Sequence, residues 1–253
     1  VSSISNTVWM RPVEVANEPK QLLMTVNQVQ DEIEFEFYTM TEGHDKLIHT
    51  QGKITLNQDS RIDSQQSVNI KTVLERTTER ASKESFYAQI RNLGLKLGDN
   101  YRVVNEIFRN KRETLSQLII PTGLRGDLAN IDLHPSLMDG AFQTAIWGGY
   151  YDTLHVPYEL RRMEVFGSLP EECFVYAERE EEKGSLTGRA NISITDREGR
   201  VLVRIEGFLS RPVKRKGELD KTDKATDLLA LLKKLEFGEL NTSEVEKMIE
   251  EAL

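Results

Sequence analysis

The stretch LHPSLMDGAFQTAIWGGYY, residues 133–151, limits the fold more than any other part of the chain. It is apolar, rich in small residues, and has a proline after His134, where a first helical turn tolerates one. A helix over 135–151 made of such residues has to be enclosed, and its flanks say by what. The segments YRVVNEIFRN, TLSQLII, EECFVYAERE, GRANISITD and GRVLVRIEGFLSR all carry strand patterns. Ile192 and Ile194 alternate with Ser193 and Thr195; Val201, Val203 and Ile205 alternate with Leu202, Arg204 and Glu206. DREGR between the last two segments reads as a hairpin turn. One buried helix among many antiparallel strands predicts an α+β fold, a sheet packed on a helix.

The beginning of the chain is also strand-like. In DEIEFEFYTM, Ile33, Phe35 and Phe37 face one side and Glu32, Glu34 and Glu36 the other. With QLLMTVNQV before it and KLIHTQGKITL after the turn TEGHDK, residues 8–57 read as a meander of three or four strands. Residues 58–82 are polar and read as a connector with a short helix near 70–81. Ser82 or Ser85 then caps a helix with Phe86, Ile90 and Leu93 on one face and Gly94 at its end.

The tail differs. Residues 213–224 form a charged linker. Beyond it, Leu228, Leu232 and Leu235 make one helical stripe, and Val245, Met248, Ile249 and Ala252 another, with Ser243 and Glu246 at capping-box spacing. Two short amphipathic helices within 225–253 do not stabilise each other alone, so they predict a partner.

Composition excludes several functions. The net charge of −8 argues against nucleic acid as a partner, and RPVKRK at 211–216 reads as a linker edge. No run approaches ~18 apolar residues, so no membrane partner is expected. VSSISNTVWM lacks the basic-then-apolar order of a secretory leader. The single cysteine, Cys173, excludes an intrachain disulfide framework and points to a reducing cytoplasm. The four histidines, His44, His49, His134 and His155, lie at no zinc-binding spacing, so no metal is expected. No glycine-rich phosphate cradle is present to support a nucleotide cofactor.

Inside the apolar helix stand one carboxyl group and one amide, Asp139 and Gln143, a turn apart and on one face with Phe142 and Ile146. Small residues such as Gly140 and Ala141 let the helix lie close to a sheet. A carboxyl group in that setting is desolvated, which raises its pKa. The helix dipole opposes this but fades beyond the first turn. Such a carboxyl group would be a protonated acid fit for general acid catalysis, oriented by Gln143. Composition and spacing alone favour the plainer reading, a solvated Asp139 on an exposed stripe, and a buried one satisfied by backbone donors is the other alternative.

LHPSLMDGAFQ resembles the HPxLxDxxxQ motif of polyketide synthase dehydratase domains. TVWMRP (7–12), HTQGKI (49–54), FYAQIRNLGLKLGDNY (86–101), VPYELRRMEVFGSLP (156–170) and REGRVLVRIEGFLSR (197–211) are similar to the family in the same order, over roughly residues 4–212. The resemblance implies a double hotdog, each half a curled antiparallel sheet around a central helix. The first hotdog and connector would occupy 1–82 and the second 83–212. It also implies loss of water from a β-hydroxyacyl chain carried on the phosphopantetheine of an acyl carrier protein, with no cofactor of the domain's own. Asp139 would be the acid and Gln143 its neighbour, and a homodimer is the family expectation.

Two departures from the family stand out. The histidine of its HxxxGxxxxP motif, and the central helix of the first hotdog, do not occur in these residues. Where the family often has YGPxF, this chain has Leu97, Gly98, Asp99, Asn100 and Tyr101, so only Gly98 and Tyr101 remain to line the substrate. An enoyl isomerase and an inactive docking hotdog are the alternatives; an intact Asp139 favours dehydration. Residues 225–253 are similar to docking segments of synthases whose acyltransferase is a separate protein, which implies another synthase polypeptide as partner.

Overall fold

The computed structural model describes residues 3–30, 32–56, 66–147, 153–180 and 188–213. The end of the apolar stretch at 148–151, part of the connector, and the linker and helices expected at 214–253 lie outside the described residues. In chain order the elements are β1 (Ser3–Trp9), β2 (Leu23–Val29), β3 (Glu32–Met40), β4 (Lys46–Thr55), α1 (Ile70–Arg76), β5 (Glu79–Ser82) and α2 (Lys83–Asn92). There follow β6 (Val104–Arg109), β7 (Glu113–Ile119), α3 (Pro135–Trp147), β8 (His155–Val165), β9 (Glu172–Arg179), β10 (Gly188–Thr195) and β11 (Val201–Pro212).

All eleven described strands form one sheet in the order β2-β3-β4-β1-β8-β11-β10-β9-β7-β6-β5, with antiparallel pairing throughout. The meander expected at 8–57 is β2-β3-β4 alone. The preceding strand begins at Ser3 and pairs with β4, not with β2. The β1–β8 pairing joins the two parts of the sheet. The boundary drawn at 82/83 falls where β5 ends and α2 begins, and β5 lies along β6.

Alternation sets the register in both parts. In β10 and β11, Ile192, Ile194, Val203 and Ile205 are sealed from solvent, each worth about 1.5–3 kcal/mol of burial. They face α3, which packs on β6, β7, β8, β9 and β10. The sheet thus curls around one helix, as a hotdog does. In the first part, Phe35 is buried, while its cross-strand neighbour Val26 and Met24 beside it stay half exposed. No helix among the described residues covers that face. On the opposite face Lys53 bridges Glu32 and Glu34, and Lys46 bridges Glu36, pairs worth little singly.

The second helix starts where expected: the Ser82 hydroxyl accepts the Ser85 N–H, and Phe86 and Ile90 are buried. Gly94 follows its end with φ +99°, a conformation that glycine adopts without strain.

Candidate functional site

The α3 helix begins at Pro135, as the His-Pro pair predicts. His134 caps it: its carbonyl accepts the Leu137 and Met138 N–H groups, and its Nδ1 accepts the Ser136 N–H at 3.2 Å. Its Nε2 lies 3.6 Å from an Asp127 carboxylate oxygen. Once started, the helix is pressed against the sheet. A Cβ on Gly140 would stand 2.4 Å from Val103 Cγ2 and 3.0 Å from Leu118 Cδ1, so only glycine permits this approach. Leu137, Ala141, Thr144, Ala145 and Ile146 are all buried. The half-buried strip that remains carries Met138, Asp139 and Phe142.

Asp139 is therefore at the rim of the core, one helical turn in. Burial raises its carboxyl pKa above the usual aspartate value, and a hydrogen bond from Gln143 partly opposes this. Gln143 Nε2 donates to Asp139 Oδ2 at 2.6 Å and to the Tyr101 carbonyl oxygen at 2.9 Å. Its Oε1 accepts the Tyr87 hydroxyl at 3.0 Å, and the Tyr87 oxygen accepts the Val104 N–H at 2.9 Å. The amide of Gln143, itself buried, thus has every polar atom committed.

An aromatic wall completes the setting. Phe142 stacks on Phe208, with centroids 4.9 Å apart, and meets the Trp9 ring edge-on at 5.8 Å. Trp9 comes from β1, so both parts of the sheet contribute to the aromatic cluster around Phe142, which shares the half-buried strip with Asp139. Arg102 lies 5.1 Å from the Tyr87 ring.

The other residues singled out from sequence divide in two. Tyr101 reaches the network through its backbone carbonyl, and its ring is exposed. Gly98 accepts the Tyr101 N–H and starts a short 3-10 turn over Asp99–Tyr101, with open space around its Cα. The sequence pattern alone does not single out Tyr87. The signal available was a phenol beside a predicted apolar stripe, because a buried tyrosine needs a partner for its hydroxyl.

No histidine among the four bonds to Asp139. His44 is exposed in the β3–β4 turn at φ 63°. Buried His49 bonds Thr39 Oγ1 at 2.9 Å, and His155 lies 3.4 Å from Ser210 Oγ. The described residues contain no cluster of histidine, cysteine or acidic side chains able to hold a metal ion. No described helix is long and apolar enough to cross a membrane. The surface hollow bounded by Arg161, Tyr176, Glu178 and Arg204 lies on the face of the sheet opposite α3, away from Asp139.

The family described as "Polyketide synthase dehydratase N-terminal domain" matches residues 65–220. Polyketide synthase PksM of Bacillus subtilis (strain 168) is 27% identical over 224 residues, covering 83% of this chain and 5% of its own length. The chain therefore spans a small fraction of that relative. A trans-AT polyketide synthase dehydratase domain from Brevibacillus brevis superposes with a TM-score of 0.77 at 20% identity, covering 84% of this chain and 76% of that one. The CurK dehydratase carrying an aspartate-to-asparagine exchange, described as an inactive mutant, superposes with a TM-score of 0.72 at 17% identity, covering 84% and 74%. The chain has the hotdog fold of these domains, and it belongs to the polyketide synthase dehydratase family.

Proposed function

We propose that this chain carries the acid of a β-hydroxyacyl thioester dehydratase, and that Asp139 is that acid. The observation that carries the reading is a desolvated carboxyl group at the rim of the core with one oxygen held by Gln143. The CurK aspartate variant described as inactive supports the same role for an aspartate in that relative.

Gln143 donates to Oδ2, so the carboxyl proton resides on Oδ1. As the bond from the β-carbon to its hydroxyl oxygen breaks, Oδ1–H passes its proton to that oxygen and water leaves. A base removes the α-proton, and the electron pair left behind forms the α,β double bond. The family resemblance assigns the base to a histidine of a motif that these residues do not contain, and none of the four histidines here is assigned to it. A carboxyl group held protonated by its surroundings is what this step needs near neutral pH.

On this reading the substrate arrives on the phosphopantetheine of an acyl carrier protein, and Gly98 and Tyr101 border its path. A homodimer and a partner synthase polypeptide bound through residues 225–253, in a synthase with a separate acyltransferase, belong to the same proposal. So does a cytoplasmic location. The test is Asp139→Asn in the assembled synthase. Elimination from a carrier-bound β-hydroxyacyl thioester should fall by at least about a hundredfold with the fold intact. Turnover within a fewfold of the parent would remove Asp139 from the mechanism.

A further inference from the structure

Tyr87 stands outside the reaction and yet controls its geometry. It belongs to α2, is almost fully buried, and packs edge-on against Phe86. Its hydroxyl occupies a gap in the sheet. The β6–β7 register shifts between Val104 and Glu106, and the Val104 N–H turns to the phenol oxygen. A buried N–H must find an acceptor, so the oxygen is held from one side by the backbone. The phenol then has a single proton to give, and it gives it to Gln143 Oε1.

That donation decides which way round the amide sits. With Oε1 facing Tyr87, the NH2 group faces the Tyr101 carbonyl, which can only accept, and Asp139 Oδ2. Among the described residues no other group hydrogen-bonds the Asp139 carboxyl. Oδ2 must therefore present a lone pair, and Oδ1 is left to bear the proton.

We propose that Tyr87 is a positioning residue: its hydroxyl, clamped between the Val104 N–H and Gln143 Oε1, orients the Gln143 amide and so selects Oδ1 of Asp139 as the proton-bearing oxygen. The consequence for catalysis rests on the reading of Asp139 as the acid; the effect on the carboxyl group does not. Burial keeps the phenol protonated at all working pH values, so it acts as a fixed donor. The ionisable groups nearby are the Asp139 carboxyl and the Arg102 guanidinium.

The decisive variant is Tyr87→Phe, followed by two readouts. The first is the titration of the Asp139 carboxyl carbon by NMR in the full chain. Loss of the clamp frees Gln143, its donation to Oδ2 weakens, and the carboxyl group titrates at a higher pH than in the parent. Gln143→Leu should move it the same way, and the double variant no further than Gln143→Leu alone. Tyr176→Phe, which removes a half-buried hydroxyl that donates to Glu113 on the other face of the sheet, should leave it unmoved. The second readout is turnover in the assembled synthase, where kcat should fall about tenfold with KM little changed.

An unchanged carboxyl titration in a folded Tyr87→Phe protein overturns the proposal. A shifted titration with unchanged kcat leaves the clamp standing and instead removes Asp139 from the acid role. If Tyr87→Phe does not fold, the parent protein decides through the Tyr87 Cζ carbon in mixed H2O and D2O. Separate signals for protonated and deuterated hydroxyl mean a held proton, as proposed; one averaged signal means a free one and overturns it.

Discussion

Replacing Gly140 by alanine should both loosen the fold and displace Asp139, the proposed acid. The new methyl carbon would lie 2.4 Å from Val103 Cγ2 and 3.0 Å from Leu118 Cδ1. Carbon atoms in contact prefer about 3.5–4.0 Å, so helix and sheet must part by roughly 1 Å. Neither neighbour can turn aside, because Val103 and Leu118 are completely buried. Overpacking of this kind costs about 1–3 kcal/mol. Alanine's better helix propensity returns about 0.5–1 kcal/mol. Taking the middle of each range, the net loss is about 1 kcal/mol, or roughly 2–4 °C in Tm for a domain of about 200 residues. Thermal unfolding followed by near-ultraviolet circular dichroism measures it. Asp139 is the next residue back along the helix, and a shift of about 1 Å in a catalytic group can cost about a hundredfold in rate. Turnover in the assembled synthase should therefore fall further than the Tm change suggests. A Gly140→Ala protein as stable as its parent would refute the close-approach argument.

Other substitutions test neighbouring claims. His134→Ala removes the cap of α3 and should cost about 1 kcal/mol in urea unfolding, while His134→Asn, a good N-cap, should cost less. Asp139→Asn should unfold at a higher temperature than the parent at neutral pH. A carboxyl group whose folded pKa is raised destabilises the fold once pH exceeds its unfolded value, and the gain should vanish in acid. Glu113 behaves oppositely. Hydrogen bonds from Arg76, with Tyr176 and Asn110, hold its carboxyl at about 2. Its stabilisation is complete above the unfolded glutamate value and is lost as pH falls from about 4.5 toward 2. Discounted for the half-exposed Arg76, it amounts to roughly 1–3 kcal/mol, which acid titration of Glu113→Gln against the parent would measure. Cys173 is buried and its thiol is pushed up to about 12, so it should resist alkylation until the protein unfolds.

What the sequence discloses depends on how local the cause is. Strands β3, β10 and β11 are legible because their alternation is a local record of two faces. The start of α3 is legible from His134-Pro135, and the Asp139–Gln143 pair from a four-residue spacing. Strand β8 is harder, although it joins the two parts of the sheet. Its inward residues Leu160 and Met163 are three apart, and Pro157 stands near its start, so no period of two survives. Strand β1 hides similarly: Asn6 adopts φ 49° within a register shift between Ser5 and Val8. The Tyr87–Gln143 contact spans 56 residues and depends on an N–H left over by a shift in the β6–β7 register. Neither cause has a signature within either segment.

The central claim is that Asp139 is a protonated acid because the fold desolvates it. Its most direct test is the NMR titration of the Asp139 carboxyl carbon in the parent chain, assigned by its loss in Asp139→Asn. Its midpoint should lie clearly above that of an exposed aspartate and rise further when Gln143 is replaced by leucine. A midpoint at or below the exposed value would mean a solvated carboxylate at Asp139, and the acid role would fall with it.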